Sequence, residues 1–281
     1  TALHLNTRQM KRNLNIFGEV MTKRENKNSD DVLAMIGRAI DLGIRHILMP
    51  AINPDSIAQM ETITYLNSGK NDINLHPMIG LHPCEVKEQI SIWGEQLWSS
   101  KLESWLLEFA GLNQYVGIGE TGLDYYWSIE SKEEQMLSLD IHFEIAKSTN
   151  KPIVLHNRES TQDLLDAIAR HQNGSVKGVW HCFNGTYEEG MKAVDLGFHL
   201  GIGGVITFKN AGVAEAIQRL PINKLILETD SPYLSPTPLR GKRNEPAHLD
   251  HVQKKLGELF GLSQQEIEAQ TDRTAAKLFS L

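Results

Sequence analysis

The chain has 281 residues, 41% of them apolar and 22% charged, with a formal net charge of −7. That composition excludes wholesale disorder, and its acidic balance excludes broad, salt-driven coating of nucleic acid while saying nothing about a cleft whose carboxylates are neutralised by metal ions. Apolar runs stop short of a membrane span, and two well-separated cysteines, Cys84 and Cys182, with no secretory signal ahead of the first element, lead us to expect a cytoplasmic protein.

Residues 1–5 (TALHL) read as the tail of a first strand, followed by a long loop over 6–30 rich in Asn, Lys and Arg, with a short helix about 16–22. Asp30-Asp31 then starts a helix carrying Val32, Met35, Ile36, Ala39 and Ile40 on one face, which Gly43 stops. Short apolar, β-branched runs bounded by turn residues predict seven further strands at 45–51, 76–82, 115–121, 152–157, 178–183, 199–206 and 224–229. Helical patterns alternate with them at 54–67, 88–109, 131–149, 160–172, 186–196, 209–219, 247–260 and 264–279. Strict alternation implies parallel pairing with right-handed crossovers, and eight such strands close a (β/α)8 TIM barrel. A doubly wound open sheet, the other architecture considered, would normally carry a Gly-rich phosphate turn after its first strand, and none is present. One domain over 1–281, with an atypical first strand and a long first loop, is the expected organisation.

Four segments, GIGETGLD, PIVLHNR, GVWHCFN and LILETDSPY, run apolar residues straight into Glu120, His156, His181 and Asp230. Unpaired, such groups are costly to bury. Any one of them alone is a hydrogen-bonded or ion-paired core residue; four at equivalent strand ends, which a barrel gathers at one mouth, argue for a shared site. Two imidazoles and two carboxylates suit one or two divalent ions, Mg²⁺, Mn²⁺ or Zn²⁺. A pair of ions clamps an attacking and a leaving oxygen in phosphodiester displacement, and Asp230 can take a proton from the attacking water.

Around that mouth, His82 in IGLHP is a phosphate or metal contact, or a plain strand-end turn before Pro83. Arg158 offers a planar fork to a phosphate, or forms a salt bridge to Glu159 or a neighbouring loop. Arg240, Lys242 and Arg243 in PLRGKRNEP form a local anion funnel, with Glu245 orienting Arg243 or anchoring the loop. Tyr125, Tyr126 and Trp127 can stack on exposed bases, although Trp127 is expected to pack against the barrel rim. Trp93, Trp98 and Trp105 read as core.

These residues resemble the TatD family of metal-dependent deoxyribonucleases, within the amidohydrolase-like barrels. The resemblance covers about residues 31–281 and rests on IGLHP, GIGETGLD, PIVLHNRES, HCFNGT and LETDSPYLSPTPLRGKRNEP. It implies two divalent ions and hydrolysis of DNA phosphodiesters, often from the 3′ end, with single-stranded DNA or 3′ ends as substrate; separately, no membrane partner is expected, and a monomer is expected ahead of an oligomer. Carried over, Glu120 bridges the metals, His156 and His181 bind one of them, and Asp230 binds metal and activates water. Many members carry His-x-His on strand one, where this chain has Ala2, Leu3 and His4, so His4 alone remains and one firmly held ion is expected. The competing readings are an amidohydrolase or lactonase, many of which bridge their metals with a modified lysine where this chain has Glu120, and a non-catalytic barrel with an impaired metal site.

Overall fold

A computed structural model describes residues 15–18, 29–69, 72–209 and 212–281, with side chains from Asp31 onward. Helix α1 (Ser29–Asp41) buries Val32, Ile36 and Ala39 at the i, i+4, i+7 spacing of one helical face, and the chain turns out of it at Gly43, where φ is 86°. Strands β2 (His46–Pro50), β3 (Asn74–Met78), β4 (Ile118–Asp124), β5 (Ile153–Arg158), β6 (Gly178–Trp180), β7 (Phe198–Ile202) and β8 (Leu225–Ser231) alternate with helices throughout. Between β2 and β3 lies α2 (Asp55–Leu66); between β3 and β4 lie α3 (Val86–Trp93) and α4 (Trp98–Ala110). The later helices are α5 (Lys132–Thr149), α6 (Thr161–His171), α7 (Tyr187–Asp195), α8 (Val213–Arg219), α9 (Leu249–Phe260) and α10 (Gln264–Phe279). Capping boxes start two of them, Thr186 with Glu189 on α7 and Ser263 with Glu266 on α10. Among the described residues no helix is long and apolar enough to cross a membrane.

With β1 at Asn15–Gly18, the sheet runs β3-β2-β1-β8-β7-β6-β5-β4, every pairing parallel. Its two edge strands meet at the bridge Ile79↔Ile118, where the Ile79 N–H donates to the Gly117 carbonyl at 3.2 Å and the Gly119 N–H to the Ile79 carbonyl at 2.7 Å. This is a (β/α)8 barrel with an interrupted seam, because β3 and β4 share one bridge instead of a ladder.

Two sequence expectations change here. Strand β1 is Asn15–Gly18, paired to β2 through Ile16↔Leu48 and to β8 through Ile16↔Glu228. The place between β2 and β8 is therefore filled by residues expected to lie in a loop and to begin a helix at 16; residues 1–5, expected as the first strand, lie outside the described residues. Four residues are too short a run to show a strand period; the two neighbouring strands supply the hydrogen bonds that hold them extended. The single helix expected at 88–109 is two, α3 and α4, separated at Gly94 (φ 88°). Trp98 is buried and Trp93 and Trp105 are half-buried with ring centroids 6.1 Å apart, as expected of core aromatics.

Side chains alternate between the two faces of a strand, and this period organises the interior. Leu48, Met78, Val154, Val179 and Ile226, from five strands, form a buried cluster with Ala275, Leu278 and Phe279 from the end of α10. Two residues further along the same faces come His156 after Val154, His181 after Val179, and Glu228 then Asp230 after Ile226. The polar site is thus the next layer above an apolar plug. The intervening positions, Ile153, Leu155, Trp180, Leu225 and Leu227, belong to the larger core shared with the helices.

Gly122 (φ 140°) lies opposite His156 in the β4–β5 pairing, and a Cβ there would fall 2.1 Å from the His156 carbonyl oxygen. We expect Gly122→Ala to push β5 away and to destabilise the protein by about 1–3 kcal/mol, read as a lower midpoint in thermal unfolding.

Candidate metal centre

Glu120, third residue of β4, sits further inside its strand than expected and is nearly fully buried. Its Oε1 lies 2.8 Å from His181 Nε2, 3.1 Å from His156 Nδ1 and 3.5 Å from His82 Nε2. Burial pushes the Glu120 carboxyl up, but the His181, His156 and His82 imidazoles outweigh it and hold the group well below the ordinary carboxylate range. His156, inside β5, also places Nε2 2.9 Å from Asp124 Oδ2, at the end of β4. Held between two carboxylates, its imidazole is raised against the pull of burial, chiefly by Asp124 and Glu120. His181, just past β6, is raised well above its usual value, burial being overcome by Glu120 and Glu228. His82 follows β3 at the turn Pro83–Glu85, where its Nδ1 accepts the Cys84 N–H at 3.2 Å. Burial and the neighbouring His156 keep it below its usual value.

Asp230 lies inside β8, in the left-handed region (φ 56°), a conformation Asp tolerates better than most residues. Its carboxyl is pushed up to about 7 by burial, with His181 opposing and Glu120 and Glu228 adding to the rise. The structure thus brings Glu120, His156, His181, Asp230 and His82 together; His4 is outside the described residues.

Residues that sequence reading overlooked hold this group in place. Asp124, almost fully buried, accepts the N–H groups of Tyr126 at 3.0 Å and Trp127 at 2.7 Å as well as facing His156, and despite its burial it is lowered to about 2. Glu228, 0% exposed, accepts the Cys182 N–H at 2.7 Å and faces His181 Nδ1 at 3.6 Å. Gly201 makes room for it, since a Cβ there would come 2.1 Å from Glu228 Oε2. Outer carboxylates of this kind orient a ligating imidazole. His142, buried on α5, accepts the Leu81 N–H at 3.0 Å through Nε2 and donates through Nδ1 to the Ser138 carbonyl at 2.7 Å, so it fixes the Gly80–Leu81 peptide, one unit before that of His82. Strand alternation from Ile226 was the available signal for Glu228; nothing in the sequence marked His142.

The basic residues expected at the mouth are engaged differently. Arg158 does not pair with Glu159; its guanidinium stands 4.0 Å from the Tyr126 ring and 5.4 Å from that of Trp127. Arg240 stacks on Phe208 at 3.7 Å. Arg243 forms a two-pronged pair with Asp31 at 2.5 and 3.0 Å, and Glu245 grips Arg38 at 2.7 and 2.6 Å, so Glu245 anchors its loop to α1 and does not orient Arg243. Tyr125 packs down, its hydroxyl donating to Asp163 at 2.8 Å. Trp127, expected against the rim, is 65% exposed.

The donor set fits a divalent ion. Ligand atoms of His82, Glu120 and His156 lie within 4.8 Å of one another, His181 Nε2 reaches the same Glu120 oxygen, and no hydrogen-bond donor among the described residues satisfies the Asp230 carboxylate. Mixed nitrogen and oxygen sites of this kind take Mg²⁺, Mn²⁺ or Zn²⁺.

A family model described as "TatD related DNase" matches residues 1–280. An Escherichia coli K12 protein named as the uncharacterised metal-dependent hydrolase YcfH is 32% identical over 256 residues, covering 91% of this chain and 89% of its own length. The 3′-5′ ssDNA/RNA exonuclease TatD of Shigella flexneri is 30% identical over 261 residues, covering 91% and 94%. Among solved structures, the TatD homologue YjjV of E. coli K12 superposes with a TM-score of 0.81 at 26% identity, covering 96% of this chain and 98% of its own.

A cation entering this centre displaces protons, because Asp230 titrates near 7 and His156 and His181 are raised. Below pH 7 the proton on Asp230 adds to the competition from His156 and His181; above it the Asp230 share ends. Equilibrium dialysis with Mn²⁺ at pH 8, 7 and 6 is expected to show affinity falling by about tenfold or more per unit below pH 7, and a shallower fall in Asp230→Asn.

Proposed function

Because the chain belongs to the family of TatD-related DNases, we propose that it is a metal-dependent hydrolase cleaving DNA phosphodiester bonds from the 3′ ends of single strands. The observation that carries this reading is the single oxygen of Glu120 shared by three imidazoles beside Asp230. The names of relatives support it: YcfH as a metal-dependent hydrolase and the S. flexneri TatD as a single-strand exonuclease. One catalytic domain over 1–281, working as a cytoplasmic monomer, is part of the same reading.

Glu120, His156, His181 and Asp230 would hold the ion, with His82 beside them. A bound divalent ion would polarise a phosphoryl oxygen and lower the pKa of the attacking water. The chain's own groups supply the rest. Asp230, with no hydrogen-bond donor among the described residues on its carboxylate, would take the proton as water oxygen attacks phosphorus and the bond to the leaving sugar oxygen breaks, that oxygen taking a proton from solvent. Glu228 keeps His181 turned to the centre, and Asp124 does the same for His156. His82, oriented by the Cys84 N–H and kept below its usual value by burial and His156, would donate from Nε2 to a phosphate oxygen. Arg158 and Arg240, both exposed, would meet phosphates of the approaching strand.

With Mg²⁺ or Mn²⁺ present, a 5′-labelled single-stranded oligonucleotide is expected to shorten stepwise from its 3′ end. Asp230→Asn should lower kcat by about 10²-fold or more, the range lost with a general base. Equal rates for wild type and Asp230→Asn would overturn the role of Asp230; an intact strand under all conditions would overturn the nuclease reading.

A further inference from the structure

Three aromatic residues follow Asp124 in sequence, and the structure treats them differently. Tyr125 is tied down by Asp163, with Lys132 Nζ 4.7 Å from its ring centroid. Tyr126 and Trp127 stand out into solvent, 49% and 65% exposed, with their rings edge to face at a centroid distance of 4.7 Å. Trp127 is the one exposed tryptophan of five, since Trp98 and Trp180 are buried and Trp93 and Trp105 half-buried.

Exposed rings on a loop would ordinarily be free to rearrange, but these two are fixed from below and from the side. Both of their backbone N–H groups end on the Asp124 carboxylate, at 3.0 and 2.7 Å. The other oxygen of that carboxylate faces His156 at 2.9 Å, so one buried group ties the pair directly to the metal centre. Arg158 then braces the pair, its guanidinium 4.0 Å from the Tyr126 ring. A flat apolar surface with a cation beside it, coupled to a centre built for phosphate chemistry, matches a nucleotide: the base meets the rings and the phosphate meets the charge.

We infer that Tyr126 and Trp127, braced by Arg158 and tethered by Asp124, form a shelf on which the base of the nucleotide beside the scissile phosphate stacks. The inference rests on the nuclease reading and adds a specificity to it. Every base has a π-face, so the shelf accepts all four alike and distinguishes a nucleotide that carries a base from one that does not. A base held in a duplex is already stacked and paired, and cannot reach it.

The test compares 3′ cleavage of a single-stranded oligonucleotide with that of the same strand carrying abasic residues at its last two positions, with Mn²⁺ present. Wild type is expected to favour the intact strand about tenfold in kcat/KM, mostly through KM, as the loss of one stacked base implies. In Trp127→Ala that ratio should fall towards one, and in Trp127→Phe, which keeps a ring, it should largely return. A ratio in Trp127→Ala equal to the wild-type ratio overturns the shelf and leaves the nuclease reading standing. Binding separates the opposite case: quenching of tryptophan fluorescence by the intact strand and not by the abasic one, lost in Trp127→Ala, supports the shelf even where no strand is cleaved. Equal quenching by both strands overturns it.

Discussion

The two-residue alternation of a parallel strand is the constraint on which the rest of this molecule depends. Because side chains on one face recur at every second position, a strand that sends Val154, Val179 or Ile226 into the interior must send His156, His181 or Glu228 to the same side one layer higher. The apolar layer is closed from beneath by Ala275, Leu278 and Phe279 of α10, which removes water from one side of the polar layer. Groups that titrate near their usual values in solution are therefore held in a medium that penalises isolated charge.

That medium accounts for the electrostatics of the centre. Burial lifts the carboxyls of Asp230 and Glu228, and the negative charge shared among Glu120, Glu228 and Asp230 adds to the rise. Glu120, surrounded by three imidazoles, remains ionised, whereas Asp230 is lifted towards neutrality. A divalent cation resolves the imbalance by replacing protons with two positive charges at one point. The outer carboxylates matter because they fix ring orientation: an imidazole free to rotate about its side-chain bonds does not present a constant nitrogen to anything.

Much of this was legible before any coordinates. Alternating strand and helix patterns specified a parallel barrel, and helices such as 54–67 and 264–279 agree with α2 and α10 to within about a residue or two, since their apolar faces and caps are local features. Glu120, His156, His181 and Asp230 stood out because a titratable group at the end of an apolar run is a local contradiction. The first strand was not legible. Asn15–Gly18 has no pattern of its own and is extended because β2 and β8 offer it partners, a long-range condition that a four-residue window cannot contain. The split of 88–109 at Gly94 was missed because apolar spacing continues across the break.

The sequence alone determined the chain's fold class, its family, and which side chains are capable of the chemistry, because composition, periodicity and motif are properties of neighbours in the chain. Tertiary structure decided which of those side chains meet and what each one does there. Arg243 and Glu245, two residues apart in a basic loop, turn to Asp31 and Arg38 on α1, while Asp124 and Glu228 become the supports of His156 and His181. Trp127 looked like rim packing and is held in solvent by one carboxylate. The physical reason is the same in each case: a side chain's role is set by what lies within a few ångströms of its last atoms, and those neighbours come from strands and helices far away along the chain.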